Sequence, residues 1–210
     1  MYIQTAIKGM RHMDINGARR TLHSTGLQCN WWRLVGTIRP DEIDERLSTA
    51  NLDLHINSYD QVDPSTGRPF SDGTPFISLA AGTVGRDEFL KTNFVHPAHQ
   101  TALRFASDFG RHQGECYLFY CWVIVGLQPA AEVMPLAEEV RELNTYRRYS
   151  AFQLEGEIAA KIWIPSRQIH RFEQYETRHS QGSVEIQYVD SELNPQFVDP
   201  QRVVNIREAF

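Results

Sequence analysis

The 210-residue sequence has no apolar run long enough to cross a bilayer. Its longest, CYLFYCWVIVGL, covers Cys116 to Leu127 and falls well short of the roughly 20 residues a spanning helix needs. It reads instead as a buried strand, and no membrane partner is expected. Cysteine is scarce: Cys29, Cys116 and Cys121 are odd in number and irregular in spacing, which argues against a disulfide framework and suits a reducing compartment. The opening MYIQTAIKGMRHMDING lacks the apolar centre of a signal peptide, so a cytoplasmic location is expected. There is no long basic run, and the net charge is −5, unlike a protein that grips a duplex through its phosphates. The pairs Arg19–Arg20 and Arg147–Arg148 read as solvated surface. Repeats and low-complexity segments are missing too.

What is present is an ordinary globular composition, 41% hydrophobic and 22% charged, with 11 Phe, 8 Tyr and 4 Trp to fill a core. The expected organisation is a helical N-terminal arm over 1–28, from the spacing of Ile3, Ile7, Met10 and Met13, and one domain over 29–210. Within that domain CNWWRLVGTI (Cys29–Ile38) reads as a strand and PDEIDERLSTA as a helix opened by Pro40 with acids in its first turn. Residues 51–75 read as a loop rich in turn formers. PFISLAAG is a strand, HPAHQTALRFASDFG a helix, and most of the rest is strand, including the alternating SVEIQYVD. The order suggests α+β with an antiparallel or mixed sheet.

One stretch, SAFQLEGEIAAKIWIPSRQI, sets Glu155 and Glu157 one residue apart in a strand-like segment, so both point to one face together with Gln153. Burying two carboxylates is costly unless water, a cation or a task compensates. Taken alone, the row reads more readily as an exposed strand face than as a site wall. Its company changes the balance. Arg33 stands in WWRLVG and Ser78 in FISLA, so an arginine, a serine and an E-x-E follow one another on strand-like segments.

That order resembles the ADP-ribosyltransferase fold, specifically its arginine–serine–glutamate, cholera-toxin-like class, over Arg33 to Phe172. The helix HQTALRFA and the run from E-x-E into an apolar strand, a Pro turn and a further strand also resemble that class. Leu79 and Ala80 depart from its serine-threonine-serine strand. The resemblance implies split mixed or antiparallel sheets flanked by helices, NAD+ as substrate, and transfer of ADP-ribose with release of nicotinamide. It implies Glu157 for the oxocarbenium-like transition state and the ribose 2′-hydroxyl, Arg33 for the diphosphate, and Ser78 to orient the carboxylate. Glu155 would face the acceptor, a protein arginine in the favoured reading, and Gly36 and Phe94 would border the cofactor; Phe89 is a second candidate for stacking on nicotinamide. A nucleic-acid base as acceptor, or a degenerate non-catalytic binding module, are the alternatives. An intracellular toxin or effector would need an antitoxin or immunity protein as partner.

Other features carry less. His96 and His99 have i,i+3 spacing but no third ligand in a recognisable pattern, so no metal is expected. His12, His23 and His55 are scattered and say little. GTVGRDEF lacks the strand–glycine–helix setting of a dinucleotide fingerprint, and TLHSTG reads as a turn rather than a nucleophile with its base.

Overall fold

The computed structural model describes residues 1–62, 64, 66–87, 92–126, 131–140, 156–180 and 183–202, without the side chains of 83–87 and 92–96. In chain order the elements are β1 (Tyr2–Arg11), α1 (Ile15–Arg20), a π-helical turn (Thr21–Thr25), β2 (Leu27–Gln28), α2 (Asn30–Val35), α3 (Pro40–Arg46) and α4 (Thr49–Asn57). They continue with β3 (Phe76–Ala80), β4 (Thr83–Asp87), β5 (Thr92–His96), α5 (Ala98–Ala106), β6 (Gly114–Val125), β7 (Glu157–Lys161), β8 (Trp163–Ile164), β9 (Ile169–Ser180) and β10 (Ser183–Leu193).

Six strands form one sheet in the order β10-β9-β6-β1-β3-β7, and every neighbouring pair is antiparallel. β2–β8 and β4–β5 make two small sheets beside it. The α+β class expected from the sequence is the class observed.

β6 is apolar on both faces because both are covered. Its Cys116 and Leu118 pack with Ile7, Ala80 and Tyr175 against Ala102 and Ala106 of α5. The alternate residues Tyr117, Phe119, Cys121 and Val123 join the larger core, with Leu22, Trp31, Leu52, Ile56, Leu79 and Ile158. Cys116 and Cys121 thus lie on opposite faces, and all three cysteines are free and buried. Burial pushes the Cys29 thiol up to about 11 and the Cys121 thiol to about 12, which leaves them unreactive packing groups. α5 lies directly on β1: a Cβ on Gly9 would collide with the Ala102 carbonyl oxygen.

Three expectations are corrected. The first residues are no helical arm. Tyr2–Arg11 is the strand between β6 and β3, paired with β6 from Tyr2↔Val125 to Arg11↔Cys116. Backbone pairing on both sides outweighs the weak helical spacing of its apolar residues. Cys29–Ile38 is no strand: the Cys29 thiol accepts from the Trp32 N–H and caps α2, which Gly36 ends at φ 76°. The loop expected over 51–75 begins as α4, capped by the Ser48 hydroxyl accepting from the Asn51 N–H. The tail beyond residue 202 lies outside the described residues. Among the described residues no helix is long and apolar enough to cross a membrane.

Candidate active site

β3 and β7 are neighbours, and their register sets Ser78 opposite Ala159 and Ala80 opposite Glu157. The turn before β7 fixes where Glu157 begins. Gly156 adopts φ 60°, its carbonyl accepts from the Ala81 N–H at 2.8 Å, and a Cβ there would meet the Gly82 backbone at 2.6 Å. Only glycine suits both demands.

Ser78 and Glu157 meet at a third residue that the sequence did not single out. His55 projects from α4, its side chain 1% exposed, and its Nε2 lies 2.9 Å from Ser78 Oγ and 3.7 Å from Glu157 Oε1. Its Nδ1 is 2.9 Å from Thr74 Oγ1, which also accepts from the Phe76 N–H. The ring is held from both ends. Burial, reinforced by the positive charge of Lys8, lowers its pKa from 6.5 to about 3. At neutral pH His55 is therefore an uncharged imidazole with one N–H and one lone pair, able to relay between two hydroxyls without adding charge. Tyr59 packs edge-on against it with ring centroids 5.5 Å apart.

A cation completes the group. Lys8 on β1 is partly buried, and burial lowers its pKa to about 8; Glu157 opposes the fall and Arg33 adds to it. A lysine that feels a carboxylate in a partly dry setting holds a charge that its neighbours readily tune.

The expected site residues fare unequally. Ser78 and Glu157 lie on neighbouring strands, and each reaches His55. Arg33 stands in α2 and not on a strand, and its side chain is exposed, because the Cys29 cap turns the segment into a helix; its charge still reaches Lys8. Gly36 ends that helix and lines an apolar cavity that includes none of Ser78, His55 and Glu157. Phe94 lies in β5, where backbone alone is described, and Glu155 and Phe89 lie outside the described residues. His99 bonds the Tyr175 hydroxyl at 2.8 Å, and no three metal-ligating side chains converge among the described residues.

His55 and Lys8 were missed for different reasons. His55 follows a Ser48 cap and sits between Leu52 and Ile56 at helical spacing, a signal hidden by the turn-rich sequence after it. Lys8 lies in the strand misread as helix, where a lysine looks like surface.

No family model matches the chain, and no curated protein matches it in sequence. Solved structures are similar in shape. EcPltA superposes with a TM-score of 0.50 over 96% of this chain and 97% of its own, at 12% identity. A nicked CARDS toxin reaches 0.46 over 94% of this chain and 32% of its own, at 12% identity. A heat-labile enterotoxin A-subunit variant reaches 0.44 over 93% and 77%, at 13% identity. The architecture is thus the one the sequence resembles, the ADP-ribosyltransferase fold, shared nearly end to end with EcPltA.

Proposed function

We propose that the chain is a mono-ADP-ribosyltransferase that cleaves NAD+ and passes ADP-ribose to a macromolecular acceptor, with a protein arginine favoured. The observation that carries the reading is the meeting of Ser78, a neutral His55 and Glu157 beside the Lys8 ammonium.

In this reading the bond between ribose C1′ and the nicotinamide nitrogen breaks, and its electron pair leaves with neutral nicotinamide. Positive charge grows on the ribose, where Glu157 stabilises it and accepts a hydrogen bond from the 2′-hydroxyl. Ser78 and His55 are positioning residues: the Thr74–His55–Ser78 chain holds the imidazole at the edge of the Glu157 carboxylate without a competing charge. Lys8 takes the diphosphate role that the sequence assigned to Arg33, with Arg33 adding positive charge nearby. An acceptor nitrogen then attacks C1′ and its proton passes to Glu155. The acidic net charge fits a protein acceptor better than a duplex. A toxin or effector with such an activity requires a neutralising partner in any cell that makes it.

The test is nicotinamide release from NAD+ in the presence of cell lysate, wild type against Glu157→Gln. Release that falls at least about 100-fold in the variant supports the chemistry. Label in protein supports the arginine reading, and label in nucleic acid replaces it with a base. No release and no NAD+ binding by the wild type overturns the transferase and leaves a binding module on the same fold.

A further inference from the structure

The turn that leaves α5 is strained and holds an aromatic ring outward. Asp108, Phe109 and Gly110 follow one another at φ 50°, 56° and 80°, a left-handed region that costs any residue with a side chain. The turn is fixed: the Phe109 N–H donates to the Arg104 carbonyl at 2.7 Å and the Gly110 N–H to the Ser107 hydroxyl at 3.2 Å. Phe109 is 45% exposed and stands edge-on to Phe105, itself 40% exposed, with ring centroids 5.2 Å apart. Gly110 packs on the exposed Val184 of β10, which extends the apolar ground. Core packing does not account for a phenylalanine turned outward at a strained position.

Exposed arginines surround the pair. Arg104 and Arg111 hold their guanidinium carbons 4.7 and 5.7 Å from the centre of the Phe109 ring. Arg11, at the end of β1, donates to the Phe105 carbonyl at 3.0 Å. Among the described residues only Asp108 offers these arginines a carboxylate, and Arg11 and Arg111 share the same oxygen of it, at 3.4 and 3.5 Å. Three cations thus stand with one anion. The tip is positive in a chain whose net charge is −5.

We propose that this aromatic–arginine tip docks on an anionic lipid surface. The Phe105 and Phe109 rings enter the boundary between headgroups and acyl chains, and the guanidiniums of Arg11, Arg104 and Arg111 meet the lipid phosphates. A nucleic-acid base would need an open ring face, and guanidiniums already lie over that of Phe109. The tip lines neither the cavity at Gly36 nor the one at Trp122, so it presents rings to a soft surface rather than a groove to a peptide. The contact is peripheral, since no described helix is long and apolar enough to cross a membrane, and it does not depend on the transferase reading.

The test is co-sedimentation of the full chain with vesicles of phosphatidylcholine, alone or mixed with phosphatidylserine. Wild type is expected to bind the mixed vesicles at least about tenfold more tightly than the neutral ones, and high salt should weaken that preference. Phe109→Asn keeps a residue that tolerates the left-handed turn, so it should melt no lower than wild type. It should still lose at least about tenfold in binding to the mixed vesicles. Phe105→Ser, in ordinary helical geometry, should repeat that loss, and the double variant Arg104→Gln, Arg111→Gln should remove most of the preference for phosphatidylserine. Equal binding to both vesicles, binding that survives Phe109→Asn and Phe105→Ser, or single-stranded oligothymidylate bound more tightly than the mixed vesicles would each overturn the proposal. The two phenylalanine variants decide the matter even if the arginine variant does not fold.

Discussion

Glu173 on β9 and Glu157 on β7 belong to one sheet but keep contrasting company. Glu173 accepts from Arg171 through one oxygen, at 2.9 and 3.1 Å, and from the Tyr120 and Tyr175 hydroxyls through the other, at 2.7 and 2.9 Å. Since Tyr175 gives its proton to Glu173, it accepts in turn from His99. The Arg171 guanidinium also lies 3.7 Å above the Tyr120 ring. Burial pushes the Glu173 carboxyl up, but these donors overcome it and hold the group below the usual carboxylate range. The tyrosine hydroxyls are driven the other way, by burial and by Glu173 itself. Around Glu157 the neighbours are a histidine that stays uncharged at neutral pH and a lysine whose charge is resisted. A saturated cluster holds strands together. A cluster whose groups are kept from their comfortable charge states is suited to a substrate that brings charge with it.

Exchanging the amide for the acid at each position tests the contrast most sharply. Glu157→Gln should cost at least about 100-fold in nicotinamide release with little change in melting temperature. Glu173→Gln should do the reverse, losing about 1.5–3 kcal/mol in denaturant unfolding while keeping turnover per folded molecule. If both variants lose activity and stability alike, the distinction fails.

His55→Gln comes next. Turnover should fall roughly 100-fold through misplacement of Ser78 and Glu157. A pH series of denaturant midpoints adds a second readout. The folded imidazole titrates near 3 and the unfolded one near 6.5, so the unfolded chain holds the extra proton between them. Wild-type stability must then decline as pH falls from 6.5 toward 3, and the variant should lose this part of the slope.

Lys8→Met gives the smallest effect and works at the alkaline end. Folded Lys8 titrates near 8 against 10.5 unfolded, so the unfolded chain again binds more protons in that window and wild-type stability rises across it. The variant should flatten that rise, and its KM for NAD+ should increase more than its kcat falls. An unchanged KM would remove Lys8 from the diphosphate.

Legibility followed the strength of local pattern. β3, β6, β10 and α5 stood out because apolar runs or alternation are long there. β1 did not, because only Ala6 and Ile7, one on each face, are buried, and its Gly9, needed for the close approach of α5, reads locally as a breaker. α2 is six residues long and aromatic, so its composition favours a strand while a thiol cap decides for a helix. Ser78 and Glu157 stand out in the sequence through their order along the chain. His55 and Lys8 became visible only once α4 and β1 were set against β3.

The central place of β1 also shapes how the molecule comes into being. Ile7 pairs with Ala80 and with Tyr120, partners made far later in synthesis. At roughly 5–20 residues per second, the strand that carries Lys8 waits several seconds on the ribosome before its second neighbour exists. Contacts of such long sequence separation fold slowly and leave sticky edges open meanwhile. A chain interrupted before β6 would leave β1 open along that side, so a strand made well before its main partner finds shelter late.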